Sequence, residues 1–377
     1  MSTGYVWHEQ YAWHDTGTGA GLLPAGGPLQ PFANFESPES KTRFAGLVEV
    51  SGMLDHLVRV PARPATEADV LRVHTPAYLD RIKTASASGG GDAGDGMSPF
   101  GAGAYEIALL SAGGTIAATE AVLTGRAENA YALVRPPGHH AVRDHGMGYC
   151  LFSNISIAVE WARAHHGIRR VAVVDYDVHH GNGTQSVFDD DADVLTVSIH
   201  QERLFPQDTG AMDDHGKAGT ALNIPLPAGC GNDAYTEAVR RVVVPALHRF
   251  APELIMVASG FDASAADPLG RMTVTSAGYR SMTEQLVQAA REICSGRLVM
   301  SHEGGYSPVY TPFCGLAVLE ALSGHDTGVG DPFDVTWANS PQHPLTPAQD
   351  TVLREAQDIA ERLQLALPER APTDSRS

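Results

Sequence analysis

The run Asp175-Tyr176-Asp177-Val178-His179-His180 sets carboxylates and imidazoles at alternate positions. In an extended or turning segment side chains alternate between faces, so Asp175, Asp177 and His179 share one. A carboxylate and an imidazole converging from a rigid strand end form half of a Zn²⁺ site, the kind that takes N and O ligands and keeps a position open for water. Asp267, in a Gly/Asp/Pro-rich loop, could supply a third ligand. An isolated D-x-H more often caps a helix, and what turns the reading toward a metal is its company. His139-His140 follows the rigid turn Pro136-Pro137-Gly138. A neutral imidazole there can take a proton from water, and a charged neighbour can stabilise developing negative charge. Tyr306 follows Gly304-Gly305, where the missing side chains let the backbone swing close to a ligand, and its phenol could donate to an oxyanion.

Elements of two lengths must position these groups. Tyr131–Val134, Val171–Tyr176, Val194–His200, Leu254–Gly260 and Arg297–Ser301 are β-branched or aliphatic runs of strand length. Between them, Tyr105–Leu123, Asn154–His166, Asp233–Phe250 and Ser276–Ile293 carry helical patterns. This alternation implies βαβ units and a parallel sheet covered on both faces. Each run leads into polar residues: Arg135 to His140, Asp177 to Gly181, His200, Phe261-Asp262 with Asp267, and His302 to Tyr306. Ligands in open parallel sheets sit beyond the carboxyl ends of the strands, so the sites gather where this fold would place them.

Composition narrows the function. The chain has 377 residues, 26 Lys+Arg against 44 Asp+Glu, and a net charge of −18. Binding to a phosphate polymer or an anionic membrane needs neutralising cations, so neither nucleic acid nor membrane is expected as a partner. Cys150, Cys230, Cys294 and Cys314 are widely separated, which argues against a disulfide framework or a zinc ribbon. The N-terminus lacks a basic region followed by an apolar stretch, and no apolar run is expected to span a bilayer. These features point to a soluble cytoplasmic protein. Without a composition shift to mark a linker, residues 1–370 are expected to form a single domain and 371–377 a disordered tail, with Gly89–Gly103 as a long flexible loop.

The motifs R-P-P-G-H-H-A (135–141), G-Y-C-L-F-S-N (148–154), D-Y-D-V-H-H-G-N-G-T-Q (175–185), F-D-A-S-A-A-D-P-L (261–269) and E-G-G-Y (303–306) resemble, in order and spacing, those of zinc-dependent histone deacetylases. Asn182 stands where class I members carry Asp, and G-Y-V-W (4–7) with D-T-G-T-G (15–19) is similar to bacterial class II deacetylase-like amidohydrolases. The likeness runs from about residue 4 to residue 320. It implies an arginase/deacetylase-type α/β fold with three layers and a central, mostly parallel eight-stranded sheet. Carried over by position, Asp177, His179 and Asp267 would ligate one catalytic Zn²⁺. His140 would be general base and later acid, His139 its electrostatic partner backed by Asp175, with Asn182 beside His140. Tyr306 would hold the oxyanion. Asp175, Ser198 and Ile199 would form a structural K⁺ site, and carbonyls near Phe188 and Val194 a second. Water would attack directly, and no G-x-S-x-G nucleophile motif is present.

The resemblance also outlines an acyl-lysine tunnel. Phe205 matches one wall, and Tyr149, after Gly148, replaces the usual Phe on the other, adding a hydroxyl that needs water or a partner if buried. Asp95 matches a rim aspartate that binds substrate backbone. Arg271, at the expected mouth, would repel a cation, whereas Asp208, Asp213 and Asp214 could make an acidic rim. The substrate expected is acetyl-lysine or another small acylated amine. The rivals are an acetylpolyamine amidohydrolase, an arginase-like ureohydrolase lacking here its D-A-H-x-D signature, and a catalytically silent acyl-lysine-binding relative. A homo-oligomer is expected, with Met1–Gly27 and Gly89–Gly103 as candidate subunit contacts.

Overall fold

The computed structural model describes residues 2–20, 23–337 and 344–363, so the expected tail lies outside the described residues. Eight strands form one sheet: β1 (Thr3–Val6), β2 (Leu57–Arg59), β3 (Asn129–Ala132), β4 (Val171–Asp175), β5 (Val194–Gln201), β6 (Ala221–Leu226), β7 (Leu254–Ser259) and β8 (Leu298–His302). Their order is β6-β5-β4-β7-β8-β3-β1-β2. Every pairing in this sheet is parallel, as the βα alternation implied, where the family resemblance implied mostly parallel.

Period-2 alternation along the central strands feeds two separate cores. In β4, Ala172 and Val174 join one apolar cluster while Val171 and Val173 join the other. In β7, Ile255 and Val257 face the first and Leu254, Met256 and Ala258 the second. Helices α1 (Glu39–Val50), α4 (Ser276–Cys294), α5 (Thr311–Ser323) and α6 (Pro347–Arg362) cover the first face, and α2 (Ala104–Leu123) and α3 (Asn154–His166) cover the second. The result is the three-layer arrangement that an alternating βα sequence imposes.

Four local expectations are corrected. Helix α2 has the length and apolar composition of a bilayer-crossing segment, contrary to the sequence reading; it is mostly buried in the second core. The pattern at Asp233–Phe250 is split into Asn232–Ala238, a π-turn at Val239–Val243 and Val244–Phe250. Pro245 has no N–H for the helical ladder, and a π-turn absorbs such a break. The 89–103 segment is not a structureless loop: Gly90–Asp92 and Pro99–Gly101 pair as an antiparallel hairpin, and Asp92 Oδ1 and Oδ2 accept the N–H groups of Gly94, Gly96 and Ser98 at 2.8, 2.8 and 2.9 Å. Strands β1, β2 and β6 escaped the pattern because they are short or lie at the sheet edges, where β6 tolerates Pro225.

A buried charge group ties the N-terminal segment to the catalytic end. Arg135, fully buried, donates from Nε to both oxygens of Glu36 at 3.0 Å and from Nη1 to the carbonyls of Tyr11 and His14 at 2.9 and 2.7 Å. Lys41, also buried, holds Glu36 Oε1 at 3.0 Å. Burial alone would raise the Glu36 pKa, but Arg135 and Lys41 outweigh it and lower the carboxyl to about 2. A carboxylate depressed on folding stabilises above its unfolded pKa of about 4.3 and loses that contribution as pH falls toward 2. Glu36→Ala would leave two buried cations unpaired, and we expect it to lower unfolding free energy by about 3–5 kcal/mol at pH 7. Urea titrations at several pH values check this: the gap between wild type and variant should shrink from pH 5 toward pH 3.

Candidate active site

The carboxyl ends of β3, β4, β7 and β8 deliver the chemical groups. Two residues after β4, Asp177 bends back so that its Oδ1 accepts the His179 N–H at 2.9 Å and lies 3.0 Å from His179 Nδ1. Three residues after β7, Asp262 places Oδ2 3.0 Å from His179 Nδ1 and accepts the Val178 N–H on Oδ1 at 2.8 Å. Asp177, His179 and Asp262 are buried and offer ligand atoms all within 4.8 Å of one another. Gly304 allows this crowding: its N–H reaches Asp177 Oδ2 at 2.8 Å, and a side chain there would collide with both carboxylates.

Asp267, expected as the third ligand, is not in that group. Its Oδ2 accepts the Tyr306 N–H at 2.7 Å and its Oδ1 the Leu269 N–H at 2.9 Å. It sits farther along the loop, where it fixes the main chain of Tyr306, while Asp262 occupies the position next to His179. The sequence reading noted Asp262 at the strand end without giving it a role.

The donor set fits a metal ion. Burial, then the charge of Asp177, pushes Asp262 up to about 6, and burial and Asp262 push Asp267 up to about 7. Carboxylates crowded this way carry more negative charge than the imidazoles offset, and a cation relieves it. One imidazole and two carboxylates are N/O donors of the type found in catalytic zinc sites.

The two histidines after β3 differ in partner and charge. His139 Nδ1 lies 2.9 Å from Asp175 Oδ2, and His140 Nδ1 lies 2.7 Å from Asn182 Oδ1. Burial pulls His139 down, but Asp177 and Asp175 together raise it well above its ordinary value. Burial, then the neighbouring His139 and His179, holds His140 well below. The neutral imidazole is therefore His140, whose ring also lines the cavity described next.

A cavity of about 480 Å³ opens above the cluster, with His140, His179 and Tyr306 at its inner end and Gly148, Tyr149 and Phe205 along its walls. Phe205 packs edge-on against His140 with ring centroids 5.0 Å apart, and Tyr149 faces Tyr306 at 5.8 Å. Gly148 and Tyr149 both have positive φ, 54° and 68°, in a tight turn closed by Cys150 N–H to Met147 C=O at 2.9 Å. Glycine is required at 148 because a Cβ would run into the His140 ring. The left-handed conformation of Tyr149 costs about 1–2 kcal/mol and turns its ring into the cavity.

Asp95 braces the tunnel turn from outside the cavity. Its Oδ2 accepts the Gly148 N–H at 2.8 Å and its Oδ1 the Met97 N–H at 2.9 Å, and Ser98 Oγ accepts the Tyr149 N–H at 2.8 Å. The hairpin thus clamps the tunnel turn, and Asp95 is not among the cavity-lining residues. Arg271 is also absent from the lining and donates to the carbonyls of Pro268 and Gly270 at 3.2 and 2.7 Å. Beneath the site, Asp175 pairs with Ser198 across β4 and β5, and a small enclosed cavity of about 10 Å³ is lined by both together with Thr184. The Thr184 hydroxyl is buried without a partner. Ile199, the third member of the expected potassium set, is the next residue of β5.

The chain is similar in sequence and fold to known proteins. A histone deacetylase domain model matches residues 35–322, most of the chain. The chain belongs to the histone deacetylase family. It is 51% identical over 336 residues to a histone deacetylase-like amidohydrolase of Pseudomonas aeruginosa, covering 88% of each. A probable deacetylase of Archaeoglobus fulgidus is 35% identical over 335 residues, with 86% of this chain and 88% of the relative covered. The crystal structure of the HDA15 HD domain superposes with a TM-score of 0.82 at 30% identity, covering 96% of this chain and 95% of that one. The deacetylase fold is thereby shown, and a family of deacetylases and amidohydrolases makes this chain a hydrolase of the same kind.

Proposed function

We propose that this deacetylase-family protein is a zinc-dependent amidohydrolase that cleaves N-acetyl and other small N-acyl amides of the acetyl-lysine type, releasing the acid and the free amine. The observation that carries the reading is the convergence of Asp177, His179 and Asp262 with His140 and Tyr306 at the closed end of one apolar-walled cavity. Zinc held by these three residues would supply Lewis acidity and an acidified water. His140, neutral and anchored through Nδ1 by Asn182, takes the proton of the attacking water on Nε2 and returns it to the leaving amine. His139, kept cationic by Asp175 and Asp177, favours negative charge developing nearby. Burial, then Asp262 and Asp177, holds the Tyr306 phenol well above its ordinary pKa, so it stays protonated and donates to the acyl oxygen as charge builds. A K⁺ held by Asp175, Ser198 and the Ile199 main chain would brace the segment from below, where the unpartnered Thr184 hydroxyl supplies a further oxygen.

Among lining residues, Met97, Leu204, Pro206 and Leu269 are apolar, and none is a carboxylate. Asp208, Asp213 and Asp214 are not among them. Such a wall suits a neutral alkyl stem and offers a polyamine tail no counter-charge. Because Arg271 also stays out of the cavity, the preference rests on this lining and not on repulsion. The zinc-loaded protein should therefore rank an acetyl-lysine peptide above acetylputrescine and acetylspermidine in kcat/KM, by about 10-fold or more. Equal or inverted ranking would overturn the substrate assignment, and inertness toward every acyl amide would overturn the activity.

A further inference from the structure

A second buried donor cluster adjoins the first. The Cys150 sulfur, a carboxylate oxygen of Glu303 and a ring nitrogen of His139 lie within 4.8 Å of one another, with all three residues buried. His139 Nδ1 is engaged by Asp175 at 2.9 Å, so Nε2, once it gives up its proton to a metal, is the nitrogen that can offer a lone pair. A carboxylate behind the opposite nitrogen is the arrangement that orients metal-ligating histidines. Glu303 Oε2 accepts the N–H groups of Gly138 and His139 at 2.7 and 3.0 Å. Its Oε1 has no hydrogen-bond partner, although the residue is 0% exposed. A buried acceptor without a donor is costly, and a cation satisfies it as well as a hydrogen bond would. Sulfur in the donor set favours a soft or borderline ion over magnesium or calcium.

We propose that His139, Cys150 and Glu303 form a second, inhibitory site for a thiophilic divalent cation, either cadmium or zinc beyond the catalytic equivalent. Coordination displaces two protons to solvent, one from the thiol and one from Nε2 of the His139 imidazolium, and the resulting thiolate and the Glu303 carboxylate together offset the charge of the ion. That neutralisation lets a second cation sit beside the Asp177–His179–Asp262 group. Occupancy draws His139 Nε2 away from the reacting centre, so the enzyme stops without losing its first metal. The inhibitory effect rests on the catalytic role proposed for His139; the binding does not.

Cadmium added to the zinc-loaded enzyme tests both parts. A saturable thiolate-to-cadmium charge-transfer band should rise with one added cadmium per chain, bound zinc should stay constant, and hydrolysis should fall with the same midpoint. Cys150→Ser should keep its activity before cadmium is added, lose the band, and shift the inhibition midpoint upward by about 10-fold or more. Should that variant fail to fold, cadmium X-ray absorption on the wild type provides the second measurement, with one sulfur neighbour expected. No sulfur neighbour, no band at saturation, or an unshifted midpoint in Cys150→Ser would overturn the site. A band that rises while hydrolysis continues would refute only the inhibitory effect. Enzyme inert on every acyl amide before any cadmium is added would instead count against the reading of the first site.

Discussion

Asp262→Asn should strip the protein of its metal and, with it, nearly all turnover. Asp262 Oδ2 stands 3.0 Å from His179 Nδ1, in the one group that also contains Asp177. An amide cannot replace the charge of a carboxylate ligand, and a site reduced to one imidazole and one carboxylate holds zinc poorly. Loss of several kcal/mol of charge stabilisation corresponds to a rate lower by about 10³-fold or more. Asp267→Asn is the discriminating control. Its carboxylate accepts the Tyr306 and Leu269 N–H groups, so the variant should keep one zinc per chain and lose about 10-fold in turnover through a displaced Tyr306. Metal content by atomic absorption, read beside kcat, separates the two. Zinc retained by Asp262→Asn and lost by Asp267→Asn would reverse the assignment.

That contrast marks the limit of what the sequence made legible. Apolar runs and amphipathic stretches were enough to place the βα alternation, and polar residues after each run were enough to place the site at the strand ends. His139, His140, Asp177, His179 and Tyr306 come together for that reason. Asp262 and Asp267 lie in one short motif, and spacing within a motif does not say which carboxylate stays with the strand and which follows the loop. A usable signal was present: Asp262 is three residues past β7 much as Asp177 is two past β4, and groups so close to a strand end share its rigidity. The bracing contacts of Asp95 were not legible for a different reason. They depend on the 90–101 hairpin, whose pairing through glycines carries no hydrophobic alternation. The Arg135–Glu36 pair spans 99 positions, and no local pattern reports a partner so distant.

Tyr306→Phe should keep the metal and the fold while lowering kcat by about 10²–10³-fold, the usual cost of removing one preorganised oxyanion donor. The ring is held independently of its hydroxyl. Tyr149 packs 5.8 Å away, the Lys41 ammonium lies 5.2 Å from the ring centroid, and the main-chain N–H is fixed by Asp267. Phenylalanine can occupy the same space, so stability should change little. Only the donor is lost, and it matters most when the acyl oxygen carries full charge. The effect should therefore fall on kcat, with KM for an acetyl-lysine peptide nearly unchanged. His140→Ala would lower kcat through a missing base, and that loss an added small base could partly restore; Tyr306→Phe should show no such rescue, because no proton-transfer group is missing. Turnover within a factor of about two of wild type would remove Tyr306 from the reaction. The acyl oxygen would then need another donor from the cavity lining, whose other polar side chains are His140, His179, Tyr149 and Gln207.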